Sequence, residues 1–130
     1  MLRYMPNHLV TERATLGGVF HALADPTRLA VVERLSIGPA STLELSRPFE
    51  MALPSFTQHM GVLERAGVVT SHKTGRVRVY QLAPKQLRAA SEWLGTHRNH
   101  WERRLDQLDA LLLGDTTPTP SHQSPRNHHE

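Results

Sequence analysis

The placing of helix-breaking residues constrains this chain more than any other feature. Between positions 25 and 67, Asp25-Pro26, Gly38-Pro39, Pro48, Pro54 and Gly67 divide a helix-forming segment into short pieces. Proline inside a helix removes a hydrogen bond and clashes with the preceding turn, so each proline marks a boundary. Asp25-Pro26 reads as a helix start, with Asp25 capping free amides and Pro26 at the first helical position. Leu29, Val32 and Leu35 are the expected inward face of that helix, which Gly38-Pro39 ends. Ser41 or Thr42 caps a short helix, LELSR, and Pro48 stops it. FEMAL forms a turn, and Pro54 opens SFTQHMGVLERAG. Phe56, Met60 and Leu63 share one face of this helix, which ends at Gly67.

Outside this core of short helices the pattern changes. Leu16, Val19, Phe20 and Leu23 recur at helical spacing, although Gly17 and Gly18 each cost roughly 1 kcal/mol in a helix. They mark either a close approach of another helix or a frayed start. VVTSHK and RVRVYQL read as two strands joined by a turn at Thr74-Gly75. Pro84 begins a long helix reaching about Leu113. The expected organisation is a flexible arm over 1–14, one domain over 15–113 with its last helix at 84–113, and a disordered tail over 114–130. The tail is polar and proline-rich, and too poor in apolar surface to offset the entropy of ordering.

Composition narrows the function classes. The chain has 130 residues, 38% of them apolar, and no cysteine. Disulfides, thiolate metal sites and thiol redox sensing are excluded. No stretch approaches the roughly 20 apolar residues of a membrane span, and the first residues lack a secretory signal pattern. The expectation is a cytoplasmic protein with no membrane partner. The formal charge is +3, and 13 of the 15 cations are Arg. Between Arg47 and Lys85 six cations face two anions, a surplus of +4 that leaves −1 for the remainder. The positive charge thus gathers where the short helices meet the hairpin.

The order of helix, helix, short helix, helix, hairpin, long helix gives a mainly α fold with a two-stranded β-hairpin wing, a winged helix-turn-helix. In that arrangement the second helix of the pair enters the major groove. Ser55, Gln58, Gly61, Val62 and Arg65 point away from the Phe56 face, with Thr57 to one side and His59 on the shoulder. Gln58 can read adenine through two hydrogen bonds, and Ser55 can reach a phosphate or a base. On the wing, Arg76 and Arg78 are two apart and are expected on the same side of one strand. Arg65 and Lys73 add to the cationic surface, where each neutralised phosphate releases counterions.

Three segments, FHALADPTRLAVVERL, RPFEMALPSFTQHMGVLERAGVV and KTGRVRVYQL, resemble the ArsR-type winged-helix regulators. The resemblance spans roughly residues 16–112, on the branch without the thiolate metal motif. It implies a homodimeric transcriptional repressor on double-stranded DNA with a two-fold symmetric operator. The family's reading positions carry over to Ser55, Thr57, Gln58 and His59, and its wing positions to Lys73, Arg76 and Arg78. Two positions depart from the family, which often has a basic residue where Gln58 stands and commonly another at Gly61.

The last helix carries a stripe of Leu87, Ala90, Leu94, His97, Trp101, Leu105, Leu108 and Leu112, longer than a small core can cover; the expected reading is packing on a second subunit, the alternative a stripe buried wholly within one. The expected dimer contacts are Leu94, Trp101, Leu105 and Leu108, joined through the resemblance by Leu16 and Phe20 of the first helix. His97 and His100 have zinc-compatible spacing, but HxxH is a weak pattern, and no metal or cofactor is expected. The competing readings are a protein-interaction module without DNA binding and a metal-responsive sensor. Enzymatic activity is not expected: there is no nucleophile elbow, phosphate-cradling loop or metal triad, and His59 with Ser55 lacks an acid partner. The operator and any effector are not encoded legibly.

Overall fold

The fold is described from a computed structural model, over residues 7–114 with side chains from residue 15. In chain order the elements are α1 (Asn7–Leu23), α2 (Pro26–Leu35), β1 (Ala40–Ser41), α3 (Thr42–Ser46), α4 (Leu53–Arg65), β2 (Val69–Thr74), β3 (Val77–Leu82) and α5 (Pro84–Gly114). The first six residues and the tail from 115 lie outside the described residues. The first helix begins at Asn7, earlier than the arm expected over 1–14. Gly17 and Gly18 lie inside it, and a Cβ at either would meet open space. Among the described residues no neighbouring helix comes close enough to require glycine at either position.

The helix starts follow the local chemistry. Asp25 accepts a hydrogen bond from the Arg28 amide at 3.0 Å and caps α2. Ser41 is the cap of α3: its hydroxyl accepts from the Glu44 amide at 3.2 Å and donates to the Glu44 carboxylate at 3.1 Å. The inward face of α2 differs from the expectation. Val31 and Leu35 are buried, Val32 is half-buried and Leu29 is 45% exposed. The inward stripe is 28, 31 and 35, and its first position holds an arginine rather than an apolar residue.

The sheet has three strands, in the order β1-β3-β2, all antiparallel. The hairpin matches the two-stranded wing, and β1 adds the short pair Ala40↔Tyr80 and Ser41↔Val79. A strand of two residues carries no periodicity, so nothing in the sequence marked it. The turn is displaced by one residue. Thr74 pairs with Val77, so Gly75-Arg76 form the loop, and Gly75 has φ +62°. Positive φ at the first loop position alone matches a type II′ turn, which glycine accommodates without strain.

The chain divides into two compact units, one ending at Leu94 and the other beginning at Gly95. The first holds the core: Val19, Ala22, Val31, Leu35, Ala40, Leu45, Phe56, Met60, Leu63, Val68, Val69, Tyr80 and Ala90. Every element from α1 to β3 contributes, along with the first turns of α5. Full burial of a side chain such as Phe56 or Leu63 contributes about 1.5–3 kcal/mol. In the second unit none of the described residues is buried.

Candidate nucleic-acid interface

The candidate interface is built on α4. Phe56, Met60 and Leu63 are fully buried, so about two turns of this helix are anchored by their inner face. The preceding turn packs beneath it, with Phe49 stacked on Phe56 at 5.8 Å between ring centroids. The far end is closed by a Schellman motif: the Val68 amide donates to the Leu63 carbonyl and the Gly67 amide to the Glu64 carbonyl, both at 3.0 Å. Gly67 has φ +74°, the left-handed conformation this motif needs. The opening end differs. Its cap residue is Ala52, with no side chain to satisfy the first amides.

The outer face of α4 carries Ser55, Thr57 and Gln58, all exposed. Arg65 is exposed too, and its guanidinium folds back to cover the place a side chain at Gly61 would take, 3.1 Å from an ideal Cβ there. The basic group missing at 61 is thus partly replaced from one turn along. His59 is only about a quarter exposed. Its Nδ1 accepts a hydrogen bond from Arg28 Nη1 at 3.0 Å and lies 3.7 Å from Asp25 Oδ2. The acid neighbour that the sequence did not reveal for His59 is therefore Asp25, brought there by the α1–α2 corner. The Arg28 amide holds the Asp25 carboxyl below its ordinary value, and the Arg28 guanidinium, together with His59 when its ring is protonated, reinforces this against the opposing effect of burial.

The wing places Lys73 at the end of β2, Arg76 in the loop and Arg78 on β3, all exposed. Because Arg76 is a loop residue, strand alternation does not put it on the side of Arg78. Arg78 shares its face of β3 with the buried Tyr80. Its Nη1 donates to Ser71 Oγ at 2.8 Å, and Ser71 donates onward to Glu64 of α4 at 2.5 Å. Thr42 of α3 donates to the Arg78 carbonyl at 3.4 Å. The wing is thus tied to both helices of the helix-turn-helix. Burial pushes the Tyr80 phenol above its ordinary value, and the Glu64 charge adds to the shift. Between the wing and the helices lies a groove of about 410 Å³, lined by Ser41, Thr42, Leu43, Leu53, Arg76, Val77 and Arg78.

The residues expected to form a dimer fall into two groups. Leu16 and Phe20 are half-buried against the core, and Phe20 meets Trp93 edge-on at 5.7 Å. Leu94 is 43% exposed. Trp101, Leu105 and Leu108, in the second unit, are 41%, 59% and 50% exposed. His97 stacks on Trp101 at 5.8 Å, and His100 is exposed. Among the described residues no three His, Cys, Asp or Glu side chains come together as a metal site would require.

Arg28, Asp25, Ser71 and Glu64 are the residues that sequence reasoning did not place near the site. The sequence marked Asp25 as a helix cap only, and Arg28 lies off the inward face of Leu29, Val32 and Leu35 that the spacing suggested. The pairing of Ser71 with Glu64 and Arg78 depends on how the hairpin packs on α4.

Comparison with known proteins gives a consistent result. A helix-turn-helix domain family matches residues 23–72. The HTH-type transcriptional regulator Rv2034 of Mycobacterium tuberculosis is 46% identical over 100 residues, 75% of this chain and 91% of that protein. The transcriptional repressor SdpR of Bacillus subtilis is 28% identical over 79 residues, 61% of this chain and 88% of its own length. The crystal structure of the ArsR family transcriptional regulator RHA00566 superposes with a TM-score of 0.65 at 44% identity, covering 78% of this chain and 97% of that one. With the anchored α4, its exposed polar face and the basic wing, these likenesses establish that the chain belongs to the ArsR family of winged helix-turn-helix transcriptional regulators.

Proposed function

We propose that this protein represses transcription as a homodimer, with α4 in the major groove of duplex DNA and the wing on the adjacent sugar-phosphate chain. The observation that carries the reading is the meeting, within one packed unit, of the exposed Ser55, Thr57 and Gln58 on α4 with the cationic wing of Lys73, Arg76 and Arg78. Gln58 supplies a donor and an acceptor for adenine, and Ser55 and Thr57 supply hydroxyls for bases or phosphates. Arg76, at the tip, and Lys73 supply charge for phosphate. Arg78 is braced by Ser71, so its guanidinium meets a phosphate in a fixed orientation. The uncapped start of α4 leaves amides and the positive end of the helix dipole free to face the backbone. Leu94, Trp101, Leu105 and Leu108 form the subunit contact, and two-fold symmetry then presents two copies of α4 to half-sites one helical turn apart.

The test is a salt titration of binding to duplex enriched by the purified protein from a random-sequence pool. Log affinity falls linearly with log salt, and each of Lys73→Ala and Arg76→Ala reduces the slope by about 0.9, the share of one neutralised phosphate. Affinity that ignores salt, or slopes unchanged in both variants, would sink the proposal.

A further inference from the structure

We propose that Arg28 is a positioning residue for DNA reading: one of its guanidinium N–H groups holds His59 as the neutral Nε2–H tautomer and makes that α4 side chain a hydrogen-bond donor to DNA. The inference rests on the placement of α4 in the groove given above, and adds a residue of α2 to the determinants of recognition.

Arg28 lies in the first turn of α2, with its amide held by Asp25 at 3.0 Å. Its guanidinium is committed in three directions. Nε donates to the Ala22 carbonyl at 2.6 Å and Nη2 to the His21 carbonyl at 3.3 Å. Both acceptors belong to the last turn of α1, whose carbonyls lack partners within the helix; the His21 carbonyl also accepts from the Ala24 amide at 3.2 Å. Nη1 then donates to His59 Nδ1 at 3.0 Å. One side chain therefore joins α1, α2 and α4.

The chemistry of the third bond decides the tautomer. A guanidinium has only donors, so the nitrogen it meets must carry a lone pair. Neutral His59 then keeps its proton on Nε2. Asp25 Oδ2 lies 3.7 Å from the same Nδ1, beyond hydrogen-bond length, so it offers no competing acceptor for a proton there. Lysine could not do the same work. Its ammonium is a single point, whereas the planar fork of Arg28 serves the α1 carbonyls and His59 at once. A donor-only His59 favours acceptors, which in the major groove are guanine N7 and O6, adenine N7 and thymine O4, or else a phosphate oxygen, and disfavours the amino groups of adenine and cytosine.

The wild-type protein alone allows the first measurement. Long-range nitrogen-15 NMR, at a pH where the ring is neutral, should show Nδ1 unprotonated and Nε2 protonated. Arg28→Lys keeps the charge but should give a mixture of tautomers and about tenfold weaker binding to the enriched duplex, with the wild-type salt slope. In a His59→Ala background the same substitution should cost nothing further, because its effect passes through the imidazole. A loss concentrated at one base pair assigns the acceptor to a base edge, and a loss uniform over sequences assigns it to phosphate. A protonated Nδ1 in the wild type overturns the proposal, as does an equal loss with and without His59. A wild-type protein that enriches no duplex overturns the DNA reading on which the donor's role rests, and the NMR result then still judges the Arg28–His59 bond separately.

Discussion

Asp25 shows how one side chain can set a corner of the fold. Its carboxylate caps α2 and stands beside the Arg28–His59 pair. Asp25→Ala removes an N-cap and should lower unfolding stability by about 1 kcal/mol at neutral pH, read by urea denaturation. The pH dependence has a definite sign. The folded carboxyl titrates below its ordinary value of 3.8, so the unfolded chain holds the proton more tightly. The contribution is present above that ordinary value and is lost as pH falls through the folded one. The gap between wild type and Asp25→Ala should therefore narrow in acid. Gly67 is a second position where the residue type is dictated. Its φ of +74° strains any side chain, and a Cβ would stand 2.8 Å from Gln86 Cγ. Gly67→Ala should destabilise by more than the roughly 1 kcal/mol that left-handed backbone alone costs a non-glycine residue.

At the scale of elements, α4 is secured on three sides and left open on the fourth. Its core face is buried, its C-terminus is capped, and side chains of α2 and the wing grip its flanks. Only its N-terminus lacks a side-chain cap, at Ala52. This is an unfavourable choice for stability and a reasonable one under the proposed DNA reading, in which the opening end of the helix meets phosphate. Ala52→Asp should therefore separate the two properties. It should raise stability by about 0.5–1 kcal/mol through capping while weakening DNA binding, because it sets a carboxylate against the phosphate backbone. Thermal unfolding and a binding titration on the same preparation check both parts. Improved stability with unchanged affinity would place the DNA elsewhere.

On the scale of the whole molecule, apolar surface is distributed unevenly. The unit ending at Leu94 buries a core drawn from α1 to β3 and the start of α5. The unit beginning at Gly95 exposes Trp101, Leu105, Leu108, Leu111, Leu112 and Leu113. Of these, Trp101, Leu105, Leu108 and Leu112 recur at spacings of four and three and so share one side of the helix, which makes that side a candidate interaction surface. If that surface is the subunit contact, Leu105→Glu with Leu108→Glu should convert dimer to monomer in sedimentation equilibrium. Near-ultraviolet and backbone circular dichroism should still report a folded first unit. A variant that remains dimeric would remove α5 from the interface.

Much of this was legible in the residues themselves. Pro26, Pro54 and Pro84 each stand in the first positions of a helix, and the Phe56, Met60 and Leu63 face is buried as its spacing required. These are local effects: a proline excludes an amide, and a period of 3.6 aligns a face, whatever surrounds them. The start of α1 at Asn7, the strand at Ala40–Ser41 and the one-residue shift of the wing turn were not legible, because helix ends and very short pairings are settled by their neighbours. The same holds for Arg28. By sequence it is one cation among many on a helix that begins at a proline. Only when α1, α2 and α4 meet does its guanidinium find two carbonyls and an imidazole within reach, since hydrogen bonds between distant segments form where packing brings donor and acceptor together. Sequence alone thus determined the elements and the chemistry they carry, and tertiary structure decided which of those groups face one another.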